Sequence, residues 1–296
     1  MSTYGKVERR VRSKVASVGV SELSQQEARL RIRVPKSDTD IVSGELWRLE
    51  ALGIEERDDG DQVVLLAGFS SAHTADLAAR NLGRFAVVEE FGSGDYLDFW
   101  REYATIYRAG NRIVVRPPWV HYEPVASELI IGIDPGRSFG SGSHPSTRLV
   151  LAELEQLLEG NESVLDVGCG SGILSVTAAR LGATEVLGID VDPASVEVTT
   201  KNAKSNGVGQ LVTASVVAVE EVNGTYDVVV ANMLAPVLRS HGPSLVGKVR
   251  PGRRLVLSGL LSPQIDQVVD ACSPMQLVAT RRCEADEGDW VCVTLG

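Results

Sequence analysis

The chain has 296 residues, 44% of them apolar, and 29 Lys+Arg against 39 Asp+Glu give a formal net charge of −10. That length suggests about two domains with ample material for a core, and the acidic balance argues against direct nucleic-acid binding, which needs a basic footprint. No apolar run approaches the roughly 18 residues that span a bilayer, and no signal-peptide core opens the chain, so a cytoplasmic protein without membrane attachment is expected.

The four cysteines, Cys169, Cys272, Cys283 and Cys292, lack C-x-x-C spacing, and His73, His121, His144 and His241 are scattered. Neither a zinc site nor a disulfide framework is expected. Residues 1–27 read as a polar leader made locally basic by Lys6, Arg9, Arg10, Arg12 and Lys14. A frayed tail is the plainer reading, a contact with RNA near a large partner the sharper one.

Regular structure is expected from Ala28, where ARLRIRV alternates as a half-buried strand does. In SDTDIVSGELWRLEALG, Ile41, Leu46, Leu49 and Leu52 can share one helix face, with Ser37 or Asp38 as cap and Gly53 as stop. IEERDD, a turn at Gly60 and DQVVLLAG predict a hairpin, SSAHTADLAARNLG a second helix and FAVVEEF a further strand. The order βαββαβ over residues 28–94 is the α+β ferredoxin-like arrangement. Residues 28–95 carry eight Lys+Arg and thirteen Asp+Glu without a catalytic constellation, which predicts a structural or partner-binding module.

Residues 95–127 read as a connector. DYLDFWREYATIYRAG has helix-like spacing of Leu97, Trp100, Tyr103 and Ile106 or Tyr107, and NRIVVRPPW is a short strand stopped by Pro117 and Pro118. Over residues 128–296 apolar strands alternate with helical segments: SVLDV, ILSVTAARLG, EVLGID, PASVEVTTKNAKSNG, LVTASVV, YDVVVAN, LAPVLRSHGPSLVGKV and RRLVLSGL. This predicts a doubly wound α/β sheet with ligands at the carboxyl ends of its strands. MQLVATRRCEA and DWVCVTL add a terminal antiparallel hairpin, unlike a dinucleotide-binding Rossmann domain.

The strongest chemical signal is Asp166-Val-Gly168-Cys-Gly170-Ser-Gly172, between a strand and a helix. Its small residues admit close backbone approach, and the helix behind it offers a positive dipole end. Nucleotides, flavins and S-adenosylmethionine (SAM) are all held by such loops. Ile173 stands where a dinucleotide fingerprint needs a small residue, and no Lys-Ser/Thr pair follows, which disfavours NAD and ATP sites. Asp190, 22 residues beyond Gly168, ends a strand and can accept both hydroxyls of a ribose. Asp192-Pro193 then caps the next helix. Asn232 ends YDVVVAN. It reads either as a turn residue bonding its own backbone or as an amide that accepts from an amine nucleophile. In FGSGSHPSTRLVL, Gly140 and Gly142 supply flexibility, Pro145 suits a first helical turn and Thr147 can bond a ligand carboxylate or a backbone group. His144 reads as a structural residue before a catalytic base.

Together these pieces resemble the PrmA family of ribosomal protein methyltransferases. IDPGRSFGSGSHPST is similar to that family's D-P-G-x-x-F-G-T-G-x-H-P-T-T block, LDVGCGSGIL to its SAM loop, GIDVDP to its ribose-binding strand end and NMLA to its N-I-L-A motif. LSGLL and DFWREYATIYRAGNRIVVRPPW also match. Ser141, Ser143 and Ser146 stand where the family usually has Thr, and Met233 where it has Ile. The resemblance implies a class I SAM-dependent methyltransferase sheet and the cofactor SAM, bound by Thr147, Gly168, Gly170, Asp190 and Asn232, with Asn232 as the catalytic residue. It implies an enzyme that methylates lysines or the N-terminal α-amino group of the ribosomal protein at the stalk base of the large subunit, recognised by the N-terminal module; a monomer is expected. A SAM-dependent enzyme for another protein, peptide or small amine, a non-catalytic nucleotide-binding module and an NAD-dependent oxidoreductase are the competing readings.

Overall fold

The computed structural model describes residues 28–49, 51, 53–69, 71–83, 86–90, 105–134, 143–285 and 288–296. The leader, the aromatic stripe Leu97, Trp100 and Tyr103, and the Gly140–Gly142 segment lie outside the described residues.

The N-terminal module is a four-stranded sheet ordered β2-β3-β1-β4, built from β1 (Ala28–Pro35), β2 (Gly53–Asp59), β3 (Gln62–Phe69) and β4 (Ala86–Glu90). All three pairings are antiparallel. The order is the ferredoxin-like one expected from βαββαβ: β1 and β2 flank β3 as a split βαβ unit. Alternation along β1 buries Leu30, Ile32 and Val34 against α1 (Thr39–Arg48) and α2 (Ala72–Leu82).

Two details of α1 differ from the expected pattern. Asp38 is the N-cap residue but makes no side-chain cap bond. Val42 and Leu46, one turn apart, are buried, whereas Ile41 is 61% exposed. The preceding 3-10 turn (Lys36–Asp38) sets the helix phase, and Ile41 falls on the outer side. In α2, Ser71 forms a capping box with Thr74, and Gly83 closes the helix in the left-handed conformation, where glycine pays no Cβ penalty.

The connector is part of a three-stranded sheet of β5 (Tyr107–Ala109), β6 (Ile113–Arg116) and β7 (Leu129–Gly132). Tyr107, assigned to the helical stripe on spacing, lies in a strand, paired with Val115. The β6–β7 pairing is parallel and crosses the boundary expected at 127/128. Ile113, Val115 and Ile131 share one core with Leu151 and Val164.

The large sheet runs β10-β9-β8-β11-β12-β14-β13. Its strands are β8 (Ser163–Val167), β9 (Glu185–Asp190), β10 (Val212–Val216), β11 (Tyr226–Asn232), β12 (Val249–Leu261), β13 (Leu277–Ala285) and β14 (Gly288–Leu295). β8 to β12 are parallel, and β14 inserts antiparallel between β12 and β13. This is the expected doubly wound class I methyltransferase topology with its terminal hairpin. Successive residues feed opposite faces: Val164, Val228 and Val256 go to one core, Leu165, Val229 and Leu257 to the other.

The first face is covered by α3 (Pro145–Leu157), α4 (Ile173–Arg180) and α5 (Pro193–Ser205), the second by α6 (Ala235–Gly247) and α7 (Ile265–Ala271). The short α7 has no counterpart in the sequence reading. Its seven residues bury Val268 alone, too little periodicity to register. Among the described residues no helix is long and apolar enough to cross a membrane.

Candidate functional site

Strand order reverses between β8 and β11, so the loops leaving their carboxyl ends border one crevice. Gly168 leaves β8 at φ +74°, and a Cβ there would stand 3.1 Å from Met233 Sδ, which follows β11. The two loops therefore lie close together, and the left-handed φ at this position favours a glycine. Gly170 and Gly172 also have positive φ.

The loop is held from behind by its own chain. Ile189 O accepts the N–H groups of Gly168 and Cys169, each at 2.9 Å. Asp166 is fully buried at the end of β8, and its Oδ2 accepts the Ser175 N–H at 3.0 Å and the Ser175 hydroxyl at 2.6 Å. It is thereby a cap for the first turn of α4. Its Oδ1 is buried with no hydrogen-bond partner among the described residues. Burial raises its pKa to about 6, against the lowering effect of the Ser175 bonds. The dipole end that the sequence reading left open for a ligand is thus already served by an internal carboxylate.

Asp190, half-buried at the end of β9, accepts from Gly170 N–H through Oδ2 at 3.0 Å and from Asp192 N–H through Oδ1 at 3.0 Å. Each oxygen keeps a lone pair for a further donor. Asp192 caps α5 by accepting from Ala194 N–H at 2.9 Å, as expected.

On the other side of the crevice, Asn232 Nδ2 donates to Thr147 Oγ1 at 3.0 Å. Thr147, 2% exposed, sits in the first turn of α3, which crosses over the end of β11. That bond turns the Asn232 carbonyl oxygen away from Thr147, and among the described residues nothing donates to it. His144 is the N-cap of α3: Nδ1 accepts the Ser146 N–H at 3.2 Å and lies 2.7 Å from the Ser146 hydroxyl. Its ring stands edge-on to Trp290 at 4.5 Å, and burial lowers its pKa. This is the structural role expected of it.

The residues singled out from sequence thus form one continuous chain of contacts: Asp190 to Gly170, Gly168 to Met233, Asn232 to Thr147. Sequence reasoning missed the cap made by Asp166 and the reason for Gly259. That glycine, at φ +86°, lies against the Met233 backbone so closely that a Cβ would overlap the carbonyl. The LSGLL motif carried the signal, since a lone glycine inside a strand marks close backbone approach.

Residues 14–296 match the sequence profile of a family described as ribosomal protein L11 methyltransferase (PrmA). The chain is 34% identical over 296 residues to the ribosomal protein L11 methyltransferase of Syntrophotalea carbinolica, covering 89% of this chain and 96% of that protein. It is 36% identical over 263 residues to the protein of the same name from Symbiobacterium thermophilum, covering 88% and 82%. A crystal structure of the ribosomal protein L11 methylase from Lactobacillus delbrueckii subsp. bulgaricus superposes with a TM-score of 0.59 at 28% identity, covering 66% of this chain and 98% of that one.

Proposed function

Since the chain belongs to the ribosomal protein L11 methyltransferase (PrmA) family, we propose that it is a SAM-dependent protein N-methyltransferase acting on that ribosomal protein, at lysine side chains or the N-terminal α-amino group. Gly168, Gly170, Asp190 and Thr147 bind the cofactor, and Asn232 both borders it and acts on the substrate amine.

The residues fit SAM on several counts. At Gly168 the loop leaves room where a Cβ would stand 3.1 Å from Met233 Sδ. Asp190 retains two acceptor positions, one for each hydroxyl of a ribose. The crevice is also electronegative: the Asp166 and Asp190 carboxylates lie close enough for Asp190 to raise the pKa of Asp166. A buried carboxylate at the start of α4 opposes a pyrophosphate, which a dinucleotide would place there, and favours a cationic ligand. Bound SAM supplies a methyl group on a positively charged sulfonium, already a good leaving group.

The protein's work is then to position and desolvate. A free lysine has pKa ~10.4, so about one in 2,500 is neutral at pH 7. A dry site disfavours the ammonium and raises that fraction. The observation that carries the reading is the Asn232 amide, locked by Thr147 with its carbonyl oxygen left to accept from the incoming amine. His144 is committed to capping α3, so the proton leaves to water rather than to a base.

Mass spectrometry of ribosomal protein L11 from cells with and without this gene tests the proposal. Loss of methylation, restored by the purified protein and SAM, is expected. An unchanged methylation pattern would refute it.

A further inference from the structure

The inner face of α5 buries the polar side chains of Thr199 and Asn202, and the half-buried Asn206, one helical turn on, caps its end. Asn202 is 1% exposed and Thr199 fully buried. Thr199 donates to Gly170 O at 3.1 Å. Asn202 Nδ2 donates to Ser171 O at 2.8 Å and to Asp134 O at 2.9 Å, while its Oδ1 accepts the Asp134 N–H at 3.2 Å. Asn206 grips Gly132 in the same two-handed way, accepting its N–H at 2.8 Å and donating to its carbonyl at 2.7 Å. Residues four apart on a helix match residues two apart on a strand, roughly 6 Å in each case. The two asparagines therefore act as a missing neighbour strand for β7 and its continuation. Lys201 adds an ion pair to the Asp134 carboxylate at 3.2 Å.

Asn202 differs from Asn206 in one respect. Its second amide hydrogen reaches the glycine loop, whereas the second hydrogen of Asn206 stays on its own helix, at Asn202 O. A single carboxamide thus fixes the backbone at Ser171 relative to the backbone at Asp134, just beyond β7. The bond to Ser171 O lies in the interior, where losing the donor costs most, and the bond to Asp134 O is part-buried.

We infer that Asn202 is a positioning residue for SAM: it holds the Gly168–Gly172 loop at a fixed spacing from the end of β7, and so sets where that loop stands in the cofactor crevice. The inference rests on the assignment of that loop to SAM. It acts through backbone placement, so its loss weakens cofactor binding and leaves the chemistry of the bound complex largely intact.

The test compares full-length wild type, Asn202→Asp and Asn206→Ala. The aspartate keeps the shape but turns oxygen toward two carbonyls. Calorimetry with S-adenosylhomocysteine, thermal unfolding, and kcat and KM for SAM are measured on each. Asn202→Asp should raise Kd and the SAM KM about tenfold, with kcat within about threefold. Asn206→Ala should lose stability yet keep Kd within about twofold of wild type. Should Asn202→Asp fail to fold, Asn202→Ser, which keeps one donor, carries the same comparison. Wild-type affinity in the Asn202 variant, or equal weakening by Asn206→Ala, would overturn the inference. A wild type that binds no S-adenosylhomocysteine would overturn instead the assignment of the loop.

Discussion

Gly172→Ala tests how tightly the loop is built against α5. Gly172 has φ +77°, and an added Cβ would stand 2.7 Å from both Thr199 Cγ2 and Oγ1 and 2.9 Å from Thr199 Cα. Rotating the Thr199 side chain relieves the first two contacts but not the third, because the Cα is fixed in the middle of α5. The left-handed backbone costs an alanine about 1–2 kcal/mol, and forcing a methyl into a packed site adds about 1–3 kcal/mol. The expected loss is roughly 2–5 kcal/mol in all. Gly207→Ala is the matched control: φ is +72°, and nothing lies within 4 Å of its Cβ position, so only the backbone cost of about 1–2 kcal/mol remains. Urea unfolding of the two variants against wild type, at equal m-values, isolates the packing part as their difference. Because Thr199 also holds Gly170 O, Gly172→Ala should in addition weaken SAM binding. Equal destabilisation by the two substitutions would refute the close packing of loop and helix.

Three further outcomes follow from the site. Asp190→Ala removes two backbone caps and the proposed ribose acceptors together, so calorimetry should show SAM binding weakened at least about tenfold; an unaltered dissociation constant would reassign Asp190 to loop structure alone. Asn232→Ala should keep SAM affinity within a modest factor while methyl transfer to the ribosomal protein falls by about a hundredfold, the order expected when one positioned polar group is lost from a reacting centre; unchanged turnover would remove Asn232 from the mechanism. Asp166, with its pKa raised to about 6, is ionised above that pH and loses its charge as pH falls through it. SAM affinity should therefore drop between pH 7 and pH 5. The drop should be smaller for S-adenosylhomocysteine, whose sulfur is neutral, and absent for SAM in Asp166→Asn. A pH profile identical in the variant would contradict that coupling.

Much of this molecule is legible in the residue order because its strands and helices are regular and their ends are marked. Gly83, the Ser71–Thr74 box, Asp192-Pro193 and the alternation of β1 all signal locally what the fold uses locally. What periodicity could not carry is phase and partnership. Ile41 and Val42 are equivalent until the preceding turn fixes which faces inward. Tyr107 fits a helical spacing and lies in a strand because Val115 is there to pair with it. In the site, the loop glycines, Asp190 and Asn232 were accessible because each sits at a strand end followed by a turn. The capping role of Asp166, a residue the loop motif itself marks, and the bridge made by Asn202 were not: each depends on a backbone group, nine and thirty-one residues away, which no local pattern encodes.

A crystal structure with S-adenosylhomocysteine bound tests the central assignment most directly. The ribose should hydrogen-bond Asp190, the homocysteine should lie along Gly168–Gly170, and the sulfur should face the side chain of Asn232. A ligand seated outside the crevice between β8 and β11, or one whose sulfur points away from Asn232, would contradict the account.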